Sequence, residues 1–144
     1  MKNPFSKTSI LITAPLMLTM LLDGVFTLVG QPAEYWQNYA LFNEGSPLGQ
    51  ILMLNPLYFI SFFIIYLVLV PFIVVNVKRP FSIMIWLGFF LGHVWGASTW
   101  VYRIFADLTG IYDISRWYLV VGYIIIISVV AGIFISKAYE KNKI

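Results

Sequence analysis

One carboxylate, Asp23, stands inside the apolar run Met20-Leu21-Leu22-Asp23-Gly24-Val25-Phe26-Thr27, and the single histidine, His93, stands inside another. An ionisable group in such a run costs free energy unless a partner or water meets it, so each is a functional candidate. An acid facing an imidazole can stay ionised beside a protonated or hydrogen-bonded ring, and the two can move a proton in catalysis. Asp23 and His93 are therefore the catalytic candidates. Other polar residues could complete a ligand site around them. Thr27 lies one turn from Asp23 on the same helix face. Asn55 begins the second apolar run. Thr99, Trp100 and Arg103 follow His93, with Ser98 beside them. Glu44 could fold in from the loop after the first run. Trp86, His93 and Trp100 recur every seven residues and so share a face.

Each of these residues also has a plainer use. Asp23 could bond Thr27, a backbone group or Arg103 and only fix helix packing. A lone His93 could be a satisfied packing residue, and Trp86, Trp95 and Trp100 could be core or lipid-facing bulk. Arg103 suits an interfacial anchor, Glu44 a solvated loop acid, and Asn55-Pro56 a helix start.

Much chemistry is excluded outright. Cys is absent, which removes disulfides, thiolate metal sites and Cys nucleophiles. There is no His-Glu-x-x-His, no Gly-x-Ser-x-Gly and no phosphate-binding glycine loop. One histidine cannot ligate haem twice. Asp23, Glu44 and His93 have no metal-ligand spacing, so neither a metal nor a cofactor is expected. The net charge of +3 forms no nucleic-acid patch.

The elements that must position these groups are membrane spans. Of 144 residues 60% are hydrophobic and 10% charged, and the mean hydropathy is +0.87. A water-soluble domain carries about 25% charged residues, so the surrounding solvent is a bilayer. The expected fold is all-α, a single four-helix membrane domain with spans at about 9–30, 56–77, 81–102 and 117–136. The first run is too long for a cleaved signal peptide and lacks a small-x-small cleavage site, so it reads as a retained span. Pro15 and Pro71 predict bends in the first and second spans. Ala33 to Phe42 predicts a short helix on the membrane surface, and Gln50 to Asn55 an extension of the second span. The 78–80 turn is too short for anything but antiparallel neighbours.

Charge places the ends. Lys2, Lys7, Lys78, Arg79, Lys137, Lys141 and Lys143 are seven of the nine cations, and they fall at the termini and the 78–80 turn. Glu34, Glu44, Asp107 and Asp113 fall in the other two loops. The positive-inside rule puts both termini in the cytoplasm.

Depth follows from the helical rise. Asp23 lies roughly 21 Å along the first span from Ser9, and His93 roughly 18 Å along the third from Phe81. The two thus share a level. Most other polar groups lie on the outer side of it, which predicts a polar, aromatic-walled pocket open outward and sealed below, and argues against a simple pore. Gly88, Gly92 and Gly96, spaced by four, face Ser128, Gly132 and Ser136 in an antiparallel fourth span. Small residues at that spacing predict close packing of spans three and four, or a homodimer.

Leu22-Asp23-x-x-x-Thr27 followed by Glu44-x-x-Pro47-Leu48 resembles a pattern in small uncharacterised prokaryotic four-span proteins. That likeness offers no function to carry over; the expected location is the inner membrane of a prokaryotic cell. The same plan resembles the EXPERA family of sterol isomerases and the sigma-2 receptor, over about the first half of the chain. It implies Asp23 as that family's first-span acid and Glu44 as its loop acid. The family's second-span acid has no counterpart between Leu57 and Val75.

Three functions are compatible with these residues. The pocket could bind a small amphipathic or lipid-like ligand, with Asp23 meeting a cationic or hydroxyl group. Asp23 and His93 could instead catalyse an isomerisation or hydrolysis of a lipid-like substrate. Or the chain could be a structural subunit of a larger membrane complex. Membrane lipid is the expected partner in all three.

Overall fold

The computed structural model describes residues 6–141; Lys2 and Lys143 of the charge map lie outside them. The described chain is all-α. Helix α1 is Lys7–Val29, α2 Pro47–Met53, α3 Pro56–Asn76, α4 Arg79–Thr109 and α5 Arg116–Lys141. Helices α1, α3, α4 and α5 are each long and apolar enough to cross a membrane, and the protein is an integral membrane four-helix bundle. Its outer faces carry the residues that acyl chains would meet, such as Leu57, Val68 and Ile126, all well exposed.

Local chemistry sets the helix ends. Ser6 accepts from the backbone N–H of Ser9 at 3.2 Å and starts α1. Asn55 accepts from Leu57 N–H at 2.9 Å and starts α3, with Pro56 in the first turn where its missing N–H costs nothing. Helix α4 stops at Gly110, whose φ of +70° is a left-handed cap that glycine adopts without strain. Pro15 and Pro71 lie inside unbroken helices.

Three expectations are revised. Helix α4 runs on to Thr109, a turn and more past Tyr102, because no breaker intervenes before Gly110. Gln50 to Asn55 does not extend the second span. Residues 47–53 form the separate helix α2, and Asn55 turns the chain into α3. The surface segment after α1 is two single 3-10 turns, Ala33–Trp36 and Tyr39–Leu41, instead of one helix.

Helix α1 occupies the centre and touches α3, α4 and α5, most extensively α4. One core joins all four: Leu16 and Met20 from α1, Val70 and Val74 from α3, Phe90 and Val94 from α4, Ile127 and Ala131 from α5. Thr13 and Thr19 are buried in it because their hydroxyls donate back to Ser9 and Leu16 carbonyls at 2.9 Å. Tyr123, on α5 against Phe26, keeps its buried hydroxyl without a hydrogen-bonding protein partner among the described residues.

The glycine stripes do not clasp α4 to α5. A Cβ at Gly88, Gly92 or Gly132 would meet nothing within 4 Å. Helix α4 enters the common core through Phe90 and Val94, and its small-residue face turns toward α1 and α3, where it leaves space instead of closing it.

Candidate functional site

Asp23 of α1, His93 of α4 and Tyr66 of α3 meet inside the bundle. His93 Nδ1 lies 2.8 Å from Asp23 Oδ2, and His93 Nε2 lies 2.9 Å from the Tyr66 hydroxyl. An ionised carboxylate only accepts, so Nδ1–H donates to it. Nε2 of that tautomer is then free to accept the Tyr66 O–H. The imidazole is held by both nitrogens, by Phe89 stacked at 6.3 Å and by the edge of Tyr66 at 5.5 Å. Asp23 and His93 are about one-fifth exposed, and both line a cavity.

Two glycines make room for this arrangement. A Cβ at Gly96 would stand 2.6 Å from Asp23 Oδ1, so only glycine lets α4 pass the carboxylate. At Gly24 a Cβ would run into the Phe63 ring. The close approaches of this bundle are therefore at α1 against α3 and α4, where the acid is.

The cavity has a volume of about 640 Å³. Asp23, Gly24 and Thr27 form its α1 wall, and Phe59, Phe62, Phe63 and Tyr66 its α3 wall. The α4 wall is Gly88, Phe89, Gly92, His93, Trp95, Gly96, Thr99 and Trp100. Glu44, Gly45, Ser46, Leu48, Gly49 and Leu52 roof it. Among the described residues no Lys or Arg lines it. The wall is mostly apolar, with its hydrogen-bonding groups gathered around His93 and under the roof, a distribution typical of sites for small organic molecules.

The roof is fastened by residues the sequence did not single out. Gln31 donates from Nε2 to Thr27 and Asn43 carbonyls at 2.8 and 3.2 Å and accepts from Asn43 N–H at 2.8 Å. Tyr35, fully buried, donates to the Met53 carbonyl at 3.0 Å. Burial, and then neighbouring Tyr39, hold its pKa above the ordinary 10.0, so the phenol stays a donor at neutral pH. These bonds bring Glu44 over the cavity, where its carboxylate accepts from Ser46 N–H at 2.7 Å.

Of the residues expected to bind ligand, Asp23, Thr27, Glu44, His93, Thr99 and Trp100 line this one space. Asn55 and Arg103 do not. The Asn55 side chain is consumed as the α3 cap. Arg103 reaches along its own helix to Asp107, Nε to Oδ2 3.8 Å, because α4 continues far enough to present that acid four residues on. Trp86 also leaves the set. It donates to the Ile12 carbonyl at 2.9 Å and stacks on Phe90, on the side toward α1. A seven-residue repeat drifts by about 20° per heptad on a straight helix, so Trp86 and Trp100 need not share one wall.

Tyr66 is the site residue that sequence reasoning missed. Its signal was present: it is the deep hydroxyl of the second span, roughly 15 Å along from Pro56. Among the described residues no three His, Asp or Glu side chains gather as a metal site. The Glu44 carboxylate is engaged in its own loop.

The cap assignment is testable. Asn55→Ala is expected to lower stability by about 1 kcal/mol and to leave the mass of any molecule co-purifying with the protein unchanged. Unfolding in detergent, followed by circular dichroism, measures the first, and mass spectrometry of the intact protein the second. Comparison with protein-family models, with curated proteins and with solved structures gives no match for this chain.

Proposed function

We propose that this membrane protein binds a small amphipathic or lipid-like molecule, with its polar head against the Asp23–His93–Tyr66 chain and its apolar body along the α3 and α4 aromatics. One observation carries this reading: a hydrogen-bonded acid and imidazole form part of the wall of an aromatic cavity that, among the described residues, no Lys or Arg lines. Aromatic faces and two carboxylates, Asp23 and Glu44, favour a hydroxyl or a cationic head. A phosphate would meet like charge and no Lys or Arg. The EXPERA resemblance supports the same reading, since the two acids it aligns both line the cavity. So does the charge map: Lys7, Lys78, Arg79, Lys137 and Lys141 mark a cytoplasmic end, with the cavity and its roof toward the other side. The inner membrane of a prokaryotic cell is the compartment this arrangement suits.

Native mass spectrometry of protein purified in mild detergent, with extraction of the retained molecule, tests the proposal. Wild type is expected to retain a small amphipath. Asp23→Asn is expected to retain about 10- to 100-fold less, the range spanned by losing a charge-assisted hydrogen bond. Equal retention by the two proteins would sink the reading.

The Tyr66–His93–Asp23 chain favours a second reading, catalysis on a lipid-like substrate. Tyr66 Oη or His93 Nε2 would then exchange a proton with the substrate while Asp23 holds the ring in one tautomer. Tyr66→Phe separates the two readings: a binder retains less of the amphipath and converts it in neither protein, whereas an enzyme converts the molecule in wild type and loses that turnover in the variant.

A further inference from the structure

We propose that the cavity is loaded sideways, from the acyl layer of the membrane, through a window between α3 and α4 whose sill is Gly88 and Gly92. The inference rests on the binding reading above and adds the route and the source of the occupant.

The two helices are joined by a tight turn at Val77 and Lys78, where Ser82 Oγ donates to the Val74 carbonyl. They are also held together in the core by Val70, Val74, Phe90 and Val94. Beside that closed seam the facing positions are Phe62 and Tyr66 on α3 and Gly88 and Gly92 on α4. All four line the cavity. Gly88 and Gly92 have open space where a side chain would be. The rim is exposed on both sides, Phe62 at 38% and Trp95 at 63%. The cavity therefore meets the outside of the bundle along this edge.

The level of the window decides what lies beyond it. Gly88 is roughly 14 Å and Gly92 roughly 20 Å along α4 from Arg79. The hydrocarbon core of a bilayer is about 30 Å thick. Both glycines thus open onto acyl chains and not onto water or headgroups. The roof, by contrast, is tied down by Gln31, Tyr35 and Glu44. A molecule already dissolved in the membrane reaches His93 through the window without breaking any of those bonds.

The occupant is a single-chain amphipath with an uncharged hydroxyl head, drawn from the bilayer. A cavity of about 640 Å³ is the size that takes one small organic molecule, which suits a single chain and a small head. That head can accept from or donate to the Tyr66 and His93 pair, and it brings no anion toward Asp23 and Glu44.

The test uses the full chain in lipid nanodiscs and a long-chain saturated alcohol carrying a mid-chain diazirine. After brief illumination, labelled peptides are mapped by mass spectrometry. Wild type is expected to be labelled on α3 and α4 residues of the cavity wall. Gly92→Leu should reduce that labelling about tenfold. Gly132→Leu places the same side chain at an open glycine on α5, away from the cavity, and should not change it. Gly88→Leu carries the same expectation as Gly92→Leu should the latter fail to reach the membrane. Undiminished cavity labelling in both window variants would overturn the window and leave the binding reading standing. Absence of cavity labelling in wild type would overturn both.

Discussion

Asp23→Ala is expected to destabilise the bundle by about 2–4 kcal/mol, and Asp23→Asn by less than about 1 kcal/mol. Alanine removes the acceptor and leaves His93 Nδ1–H unpaired in an apolar wall, while Tyr66 keeps its bond to Nε2. Breaking a fully buried pair costs about 3–5 kcal/mol. The one-fifth exposure of both side chains lets cavity water soften that cost. Asparagine keeps an acceptor oxygen in place and loses only the charge. Replacing Asp23 and His93 by leucine together with Tyr66 by phenylalanine should recover most of the loss, because it removes all three members of the chain and leaves none unpaired. Unfolding of wild type, Asp23→Ala, His93→Ala and the Asp23→Ala/His93→Ala double variant in mixed micelles gives the double-mutant cycle. Additive single losses would mean that the two groups do not interact, and the site would fall with them.

Gly96→Ala should cost about 1–3 kcal/mol, although alanine is normally the better helix former by up to about 1 kcal/mol. The new methyl would stand 2.6 Å from Asp23 Oδ1 and 2.9 Å from its Cγ. A long exposed side chain could swing aside. This carboxylate is short and fastened to His93, so either the pair opens or α4 shifts from α1. Gly88→Ala is the contrast, since its Cβ meets nothing within 4 Å, and it should be neutral or slightly stabilising. His93 is the single histidine, so ring-nitrogen NMR of labelled protein reports on the pair without assignment. Its signal should move in the Gly96 variant and stay in the Gly88 variant. Identical spectra and stabilities for the two would show that Gly96 is ordinary helix surface.

By itself the sequence determined the solvent, the number of spans and the level of the two ionisable groups. A bilayer leaves little choice: backbone polar groups must be satisfied within each segment, so apolar runs of this length become helices. A fixed rise per residue then converts position in the chain into depth. That is why Asp23 and His93, seventy residues apart, could be placed at one height.

Only the tertiary structure decided what surrounds them, because rotation about each helix axis is set by packing and not by depth. Tyr66 could have faced lipid, and it faces His93. Gly88 and Gly92 share the spacing of a packing stripe, yet they border empty space, since a small residue permits close approach without compelling it. Arg103 and Asn55 sit at plausible levels but spend their polar groups on their own helices, where a partner was already in reach.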